Sequence, residues 1–164
     1  MPTLNTITAW TLAGVFKDAT LDHTTPSERL GKRVSQTWGS GTGDNQANEF
    51  WSDRRSLAAT SENIDLYGGL TDGFGNTINF ATLREILILN RSAVSGEDLT
   101  ISGNFITTAV LGGTTPTLTV PAGGRFNLSK PVDGFTVTNS SADIITIDAG
   151  AATISFDLFL IGTV

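Results

Sequence analysis

The chain has 164 residues, no cysteine, a single histidine and a formal net charge of −6. That length holds one ordinary domain, or a smaller domain with an arm, and the lack of cysteine excludes a disulfide framework and a thiolate site. The basic residues are scattered and outnumbered, which argues against nucleic acid, and an acidic surface argues against anionic lipid.

No run of about 18 apolar residues occurs, so no membrane span is expected. The start, MPTLNTITAW, lacks a basic segment followed by an apolar stretch, so no signal peptide is expected either. Charged residues make up 16% of the chain, against about 25% in a typical soluble domain. Thr, Ser, Asn and Gly must then cover the surface, a tendency of extracellular and virion β proteins.

Residues 1–61 read as an extended, mostly irregular N-terminal arm. In residues 1–25, Ile7, Trp10, Leu12, Val15 and Phe16 give a weak periodicity, too short for a stable isolated helix. Thr25-Pro26-Ser27-Glu28 has the form of a helix start that Gly31 would end. The Gly-rich stretch TWGSGTGDN (37–45) lacks the strand, helix and downstream acid of a dinucleotide loop, and it has no Lys after its last Gly. It reads as a surface turn. In NQANEFWSDRRS (45–56), Phe50 and Trp51 beside Asp53, Arg54 and Arg55 either anchor the arm or form a turn whose Trp caps one end of the domain.

Residues 62–164 read as a β-sandwich. ENIDLY (62–67) alternates, and Gly68, Gly69, Asp72, Gly73 and Gly75 then break the chain into turns. INFATLREILILN (78–90) is apolar enough to predict a central strand buried on both faces. DLTIS, NFITTAV, PTLTVP, GRFNLS, GFTVT, DIITID and TISFDLFLIG follow as further strands bounded by Gly, Pro, Asn or Asp. Pro116, Pro121 and Pro131 sit at strand edges, where a missing N–H does no harm. Apolar residues on both faces of the last strand place it inside a sheet or under a subunit contact. The pattern predicts an all-β fold: a single jelly-roll-like or Greek-key sandwich of two packed sheets.

Chemistry has little to work with. His23, between Asp22 and Thr24, has too few companions for a metal site or a Ser–His–Asp triad. Paired carboxylates remain the one route to hydrolysis. Glu85 and Asp157 stand out because each interrupts an apolar strand, and a buried pair with Arg84 or Arg125 is the expected explanation. LTDGFGN (70–76) lacks the spacing of a calcium loop and reads as a tight turn. No enzyme, metal or cofactor is expected.

The stretch WGSGTGDNQANEFWSDRRSLAATSENIDLYGGLTDGFGNTINFATLREILILNRS (38–92) resembles a type of structural protein from tailed bacteriophages. Its marks are a Trp and Gly-rich lead-in, an acidic-aromatic segment, a DL-x-GGLTD-x-FGN turn and a strand ending in Asn near Arg-Ser. VPAGGRFNLSKPVDGFTVTNSSADIITIDAGAATISFDLFLIG (120–162) continues the resemblance. These motifs report turns rather than a catalytic site. The resemblance implies a virion component, and the arm suggests a decoration or cement protein on the capsid exterior. Such a protein would bind the major capsid protein and pair with itself as a dimer or trimer. Trp10, Phe16, Trp38, Phe50 and Trp51 are the expected interface anchors, because aromatics are enriched at interface hot spots; Arg54 and Arg55 would meet acidic capsid surface. The alternative is a tail, head-fibre or receptor-binding module that recognises host surface glycan, marked by a shallow groove with an exposed aromatic such as Tyr67 or Phe135 beside Asp or Asn.

Overall fold

In a computed structural model the described residues are 4–17 and 27–164. Two sheets form a sandwich. The first contains β4 (Glu49–Ala58), β8 (Thr82–Asn90), β11 (Arg125–Ser129) and β14 (Thr153–Thr163), in the order β11-β8-β14-β4, with β12 (Phe135–Thr136) also on β8. The second contains β5 (Ser61–Asp65), β9 (Leu99–Ser102), β10 (Leu118–Val120) and β13 (Ile144–Asp148), in the order β10-β9-β13-β5. Every pairing within these two sheets is antiparallel. Numbered by sequence among themselves, the eight main strands read 1-8-3-6 in one sheet and 2-7-4-5 in the other. That order is a jelly roll. A hairpin of β6 (Tyr67–Thr71) and β7 (Thr77–Asn79) lies between β5 and β8.

Period-two alternation builds the core. Ile154, Phe156, Leu158 and Leu160 of β14 face inward, as do Ile86 and Ile88 of β8. They meet Leu99, Ile101, Ile145, Ile147 and Ile64 from the second sheet. Each fully buried side chain of this size contributes roughly 1.5–3 kcal/mol against the conformational entropy lost on folding.

The outer faces differ. On the second sheet the outward residues include Thr100, Ser102, Thr146 and Asn63, with the Thr146 hydroxyl 2.7 Å from Asn63 Oδ1. On the first sheet Leu87, Leu89, Phe159 and Ile161 point outward. The expectation of apolar residues on both sides of residues 78–90 and of the last strand is met by β8 and β14, the central pair.

A β-bulge interrupts their pairing between Ile161 and Gly162. A Cβ on Gly162 would come within 2.2 Å of the Thr82 carbonyl, so only glycine fits this close approach. The bulge sets Arg84 out of register, where its side chain reaches across the end of the sheet.

Two expectations need correction. Residues 104–110 are not a strand: a short π-helical segment, Ile106–Leu111, occupies them. Phe105, Ile106, Ala109 and Val110 share a helical spacing and pack on the core, and Thr107 donates from both its amide and its hydroxyl to the Gly103 carbonyl. Nor does the sandwich begin at residue 62. β4 pairs with β14 over ten residues, so the sandwich starts at Glu49.

The arm is more regular than its sequence suggests. β1 (Thr6–Lys17) and β2 (Ser27–Ser40) pair antiparallel along the whole of β1, and β3 (Gln46–Ala47) adds a short parallel bridge to β2. Alternating Thr, Ile and Val in β1 suit a strand once β2 supplies its hydrogen bonds. Thr25 and Pro26 lie outside the described residues, and from Ser27 onward the supposed helix start is strand, with Gly31 inside it.

Candidate docking surface

The hairpin crosses the outer face of the first sheet. Leu4, just before β1, lines a groove together with Phe50 of β4 and packs on the cluster of Trp38, Ala47 and Ile161. Trp38, opposite Thr6, is fully buried with Ala47 and Ile161 of β14. Trp10, four residues further out, lies under the Arg125 guanidinium of β11 at 5.2 Å from the ring centre. The sequence β4, β14, β11 in these contacts traces a diagonal path over the sheet. Beyond Trp10 the described side chains of the hairpin are exposed.

Arg84 holds the base of this arm. It is buried, and its guanidinium donates to four carbonyls: Pro131 and Val132 on one turn, Thr42 and Gly43 on the loop after β2. The same loop is fixed by Gln46 Oε1, which accepts from the Gly43 amide at 2.9 Å. The Gly-rich stretch is thus a clamped turn whose Gly43 amide is already in use.

The predicted site residues fall into separate groups. Trp38 is in the small cluster under the hairpin, and Trp51 is in the main core, 7% exposed. Neither is an anchor for a partner; both apolar rings are spent inside the chain. Arg55 sits over Trp51 at 5.6 Å, and it pairs with Glu62 and with Asp53, so it joins the edges of the two sheets. Arg54 pairs with Asp157 at 2.6 Å. Phe50 is 39% exposed. Trp10 is half-buried. Phe16 belongs to β1, and its side chain lies outside the described set, as does His23.

Glu85 and Asp157 occupy the outer face of the first sheet, but their partners differ from those expected. Asp157 takes Arg54, with Arg91 at 3.6 Å, rather than Arg84 or Arg125. The Arg54 hydrogen bond, aided by the charges of Arg54 and Arg91, holds the Asp157 carboxyl below the ordinary carboxylate range. Glu85 accepts from Asn127 at 2.9 Å. Register explains both: Arg54 stands directly opposite Asp157 on β4, and Asn127 neighbours Glu85 on β11.

A groove opens at the β4 edge, lined by Leu4, Asn48, Glu49, Phe50, Asp72 and Phe74. Phe74 is 81% exposed at the tip of the β6–β7 turn. Asp72 makes that tip rigid: Oδ1 accepts the amides of Phe74 and Asn76, and Oδ2 accepts the Asn76 side chain. Those bonds lower the Asp72 pKa. Burial, then the nearby Asp72 charge, push the Glu49 carboxyl up. The groove therefore combines aromatic walls with two neighbouring carboxylates. By its sequence LTDGFGN reads only as a tight turn. An aromatic inside a Gly and Asp turn, with no alternation to place it in a core, was the available signal.

Among the described residues no group of three or more His, Asp or Glu is placed to hold a metal ion, and no helix is long and apolar enough to cross a membrane. No protein-family model matches the chain, and no curated protein matches it. One solved structure, from Bacillus endospore appendages described as a novel family of disulfide-linked pili, is 21% identical over 76% of this chain and 96% of that one, with a TM-score of 0.35. A likeness of that degree carries neither fold nor function across.

Proposed function

We propose that this protein is a virion structural component that decorates the exterior of an assembled phage capsid and holds it through the projecting hairpin. The observation that carries the reading is the division of labour in the chain. The sandwich buries its own core, while the outer half of the hairpin exposes Leu12, Leu30 and Val34 at 63%, 58% and 58%. A two-stranded hairpin is marginal by itself, so this segment is built to lie against something else. The resemblance over residues 38–162 and the use of jelly rolls in viral capsids support the setting by analogy. In this reading the protein performs no catalysis. Its partner is the major capsid protein, and binding the expanded shell alone stabilises that state by mass action.

Cryo-electron microscopy of intact virions tests it. Density for the chain at repeated lattice positions, with the hairpin laid along capsid subunits, is the expected result. Density confined to the tail, neck or fibre tips overturns it. A glycan-binding tail or fibre module is the second reading, favoured by the Phe50–Phe74 groove beside Glu49 and Asp72. Against it, Asp72 is already satisfied within its turn, and both polar atoms of the Asn48 side chain are bonded to Val164. Silence on a glycan array removes that reading.

A further inference from the structure

The arm and the groove fit each other. Cross-strand partners share a face of a hairpin, so Trp10, Leu12, Leu30 and Val34 lie on the same side as Trp38. That side covers Ile161 at the base and then runs on, bare, past the sheet. Of the hairpin's described cationic side chains, Lys32 lies on the apolar side and Arg29 and Arg33 on the other, all exposed. The groove offers the converse, with Phe50 and Phe74 as apolar walls and Glu49 and Asp72 as adjacent carboxylates. The chain's charge is divided in the same sense. The first 40 residues hold four basic against three acidic residues, and the remainder holds thirteen of the sixteen acidic residues but only six of the ten basic ones.

A hairpin cannot fill the groove at its own base. Leu4 lines that groove on the β4 side, and the Trp10–Arg125 contact shows the strands heading toward β11. At ~3.3 Å per residue, β1 covers about 40 Å, well beyond the width of four strands spaced about 4.8 Å apart. Each molecule thus presents a free end at one edge and a receptor for it at the other.

We propose that the free end of the hairpin of one copy seats in the Phe50–Phe74 groove of a second copy, joining the chain to itself head to tail. Such a contact is heterologous, and it closes into a ring or extends as a row according to the rotation per step. The inference does not depend on the virion assignment, but it gives the bare face of the hairpin, which that reading lays on capsid subunits, to a second copy instead. The contact brings Lys32, which shares the face of Leu12 and Leu30, toward Glu49 and Asp72, and it removes Leu12, Leu30, Phe50 and Phe74 from water.

Sedimentation of the full chain from micromolar to several hundred micromolar tests it. Concentration-dependent growth beyond the monomer is expected. Leu12→Glu combined with Leu30→Glu, which spoils the arm, and Phe74→Ser, which spoils the groove, should each weaken association at least tenfold. All three positions are exposed, so circular dichroism should show the sandwich intact. The equimolar mixture decides the topology: arm-defective copies keep a groove and groove-defective copies keep an arm, so the mixture should form one-to-one dimers and stop. A wild-type chain that stays monomeric, single variants that associate like wild type, or a mixture that stays monomeric would each overturn the proposal. A monomeric chain that still occupies capsid lattice positions overturns self-joining while leaving the virion reading intact; a self-joined chain seen only at tail tips does the reverse.

Discussion

The sandwich and the hairpin use the same antiparallel ladder, but each sheet of the sandwich buries one face against the other, whereas the β1–β2 ladder buries little more than its base. Phe156 and Leu158 sit opposite a second sheet and are fully buried; Leu12 and Leu30 sit opposite nothing in their own chain. Strand formation therefore says little about where stability resides. Stability follows the layer behind the ladder, and the sharp step in burial from Trp38 to Leu12 marks where one kind of structure gives way to the other.

Four substitutions break or sharpen this contrast. The largest effect should come from Phe156→Ala, a cavity between the sheets costing about 3–5 kcal/mol; urea denaturation should show the whole chain unfolding earlier, arm included. Trp38→Ala should cost about 3 kcal/mol, but locally. Amides of β1 and β2 should lose their protection from hydrogen exchange while those of β8 and β14 keep theirs. Equal loss in both regions would mean that the arm and the sandwich fold as one unit. Arg84→Leu should cost roughly 2–3 kcal/mol, because it removes charge-assisted donors and leaves carbonyls without them. Its exchange signature should centre on residues 42–45 and 131–132. Asp157→Asn should have the smallest effect, since Arg54 is 63% exposed. The pKa of Asp157 is lower in the folded chain than in the unfolded one, so the pair stabilises at neutral pH. That contribution declines as pH falls below about 4 and is gone once the pH has passed the folded-state value. The stability gap between wild type and Asp157→Asn should narrow over that acid range in urea titrations.

Much of the sandwich is legible because alternation and turn residues are local signals. ENIDLY, DLTIS, PTLTVP, GRFNLS and DIITID all hold strands of the two sheets, and the double-sided apolarity of β8 and β14 marks the centre of a sheet. NFITTAV fails because an apolar segment this short satisfies either period, and the contact with the core decides. The arm fails for a related reason. Thr6–Lys17 looks weak alone and becomes a strand through β2, a partner that begins ten residues later. Trp51 could be read as core or anchor from its neighbours; only the pairing of β4 with β14 puts it inside. The Phe50–Phe74 groove joins residues 24 positions apart through the β6–β7 hairpin, which no local pattern in the sequence reveals.

Arg84 also lies on a mechanical path. A load applied at the free end of the hairpin runs along both strands, and only β2 continues into the sandwich. β1 therefore passes its share through the ladder in shear. Load carried along the backbone then enters the Thr42–Asn45 loop, which is tied to the 131–132 turn by the Asn45 amide, 2.8 Å from the Pro131 carbonyl, and by the Arg84 guanidinium. Its acceptors there are neutral carbonyls rather than carboxylates, so added salt that screens Arg54–Asp157 should leave this attachment at nearly full strength, and the arm should bear tension equally in dilute and in concentrated saline.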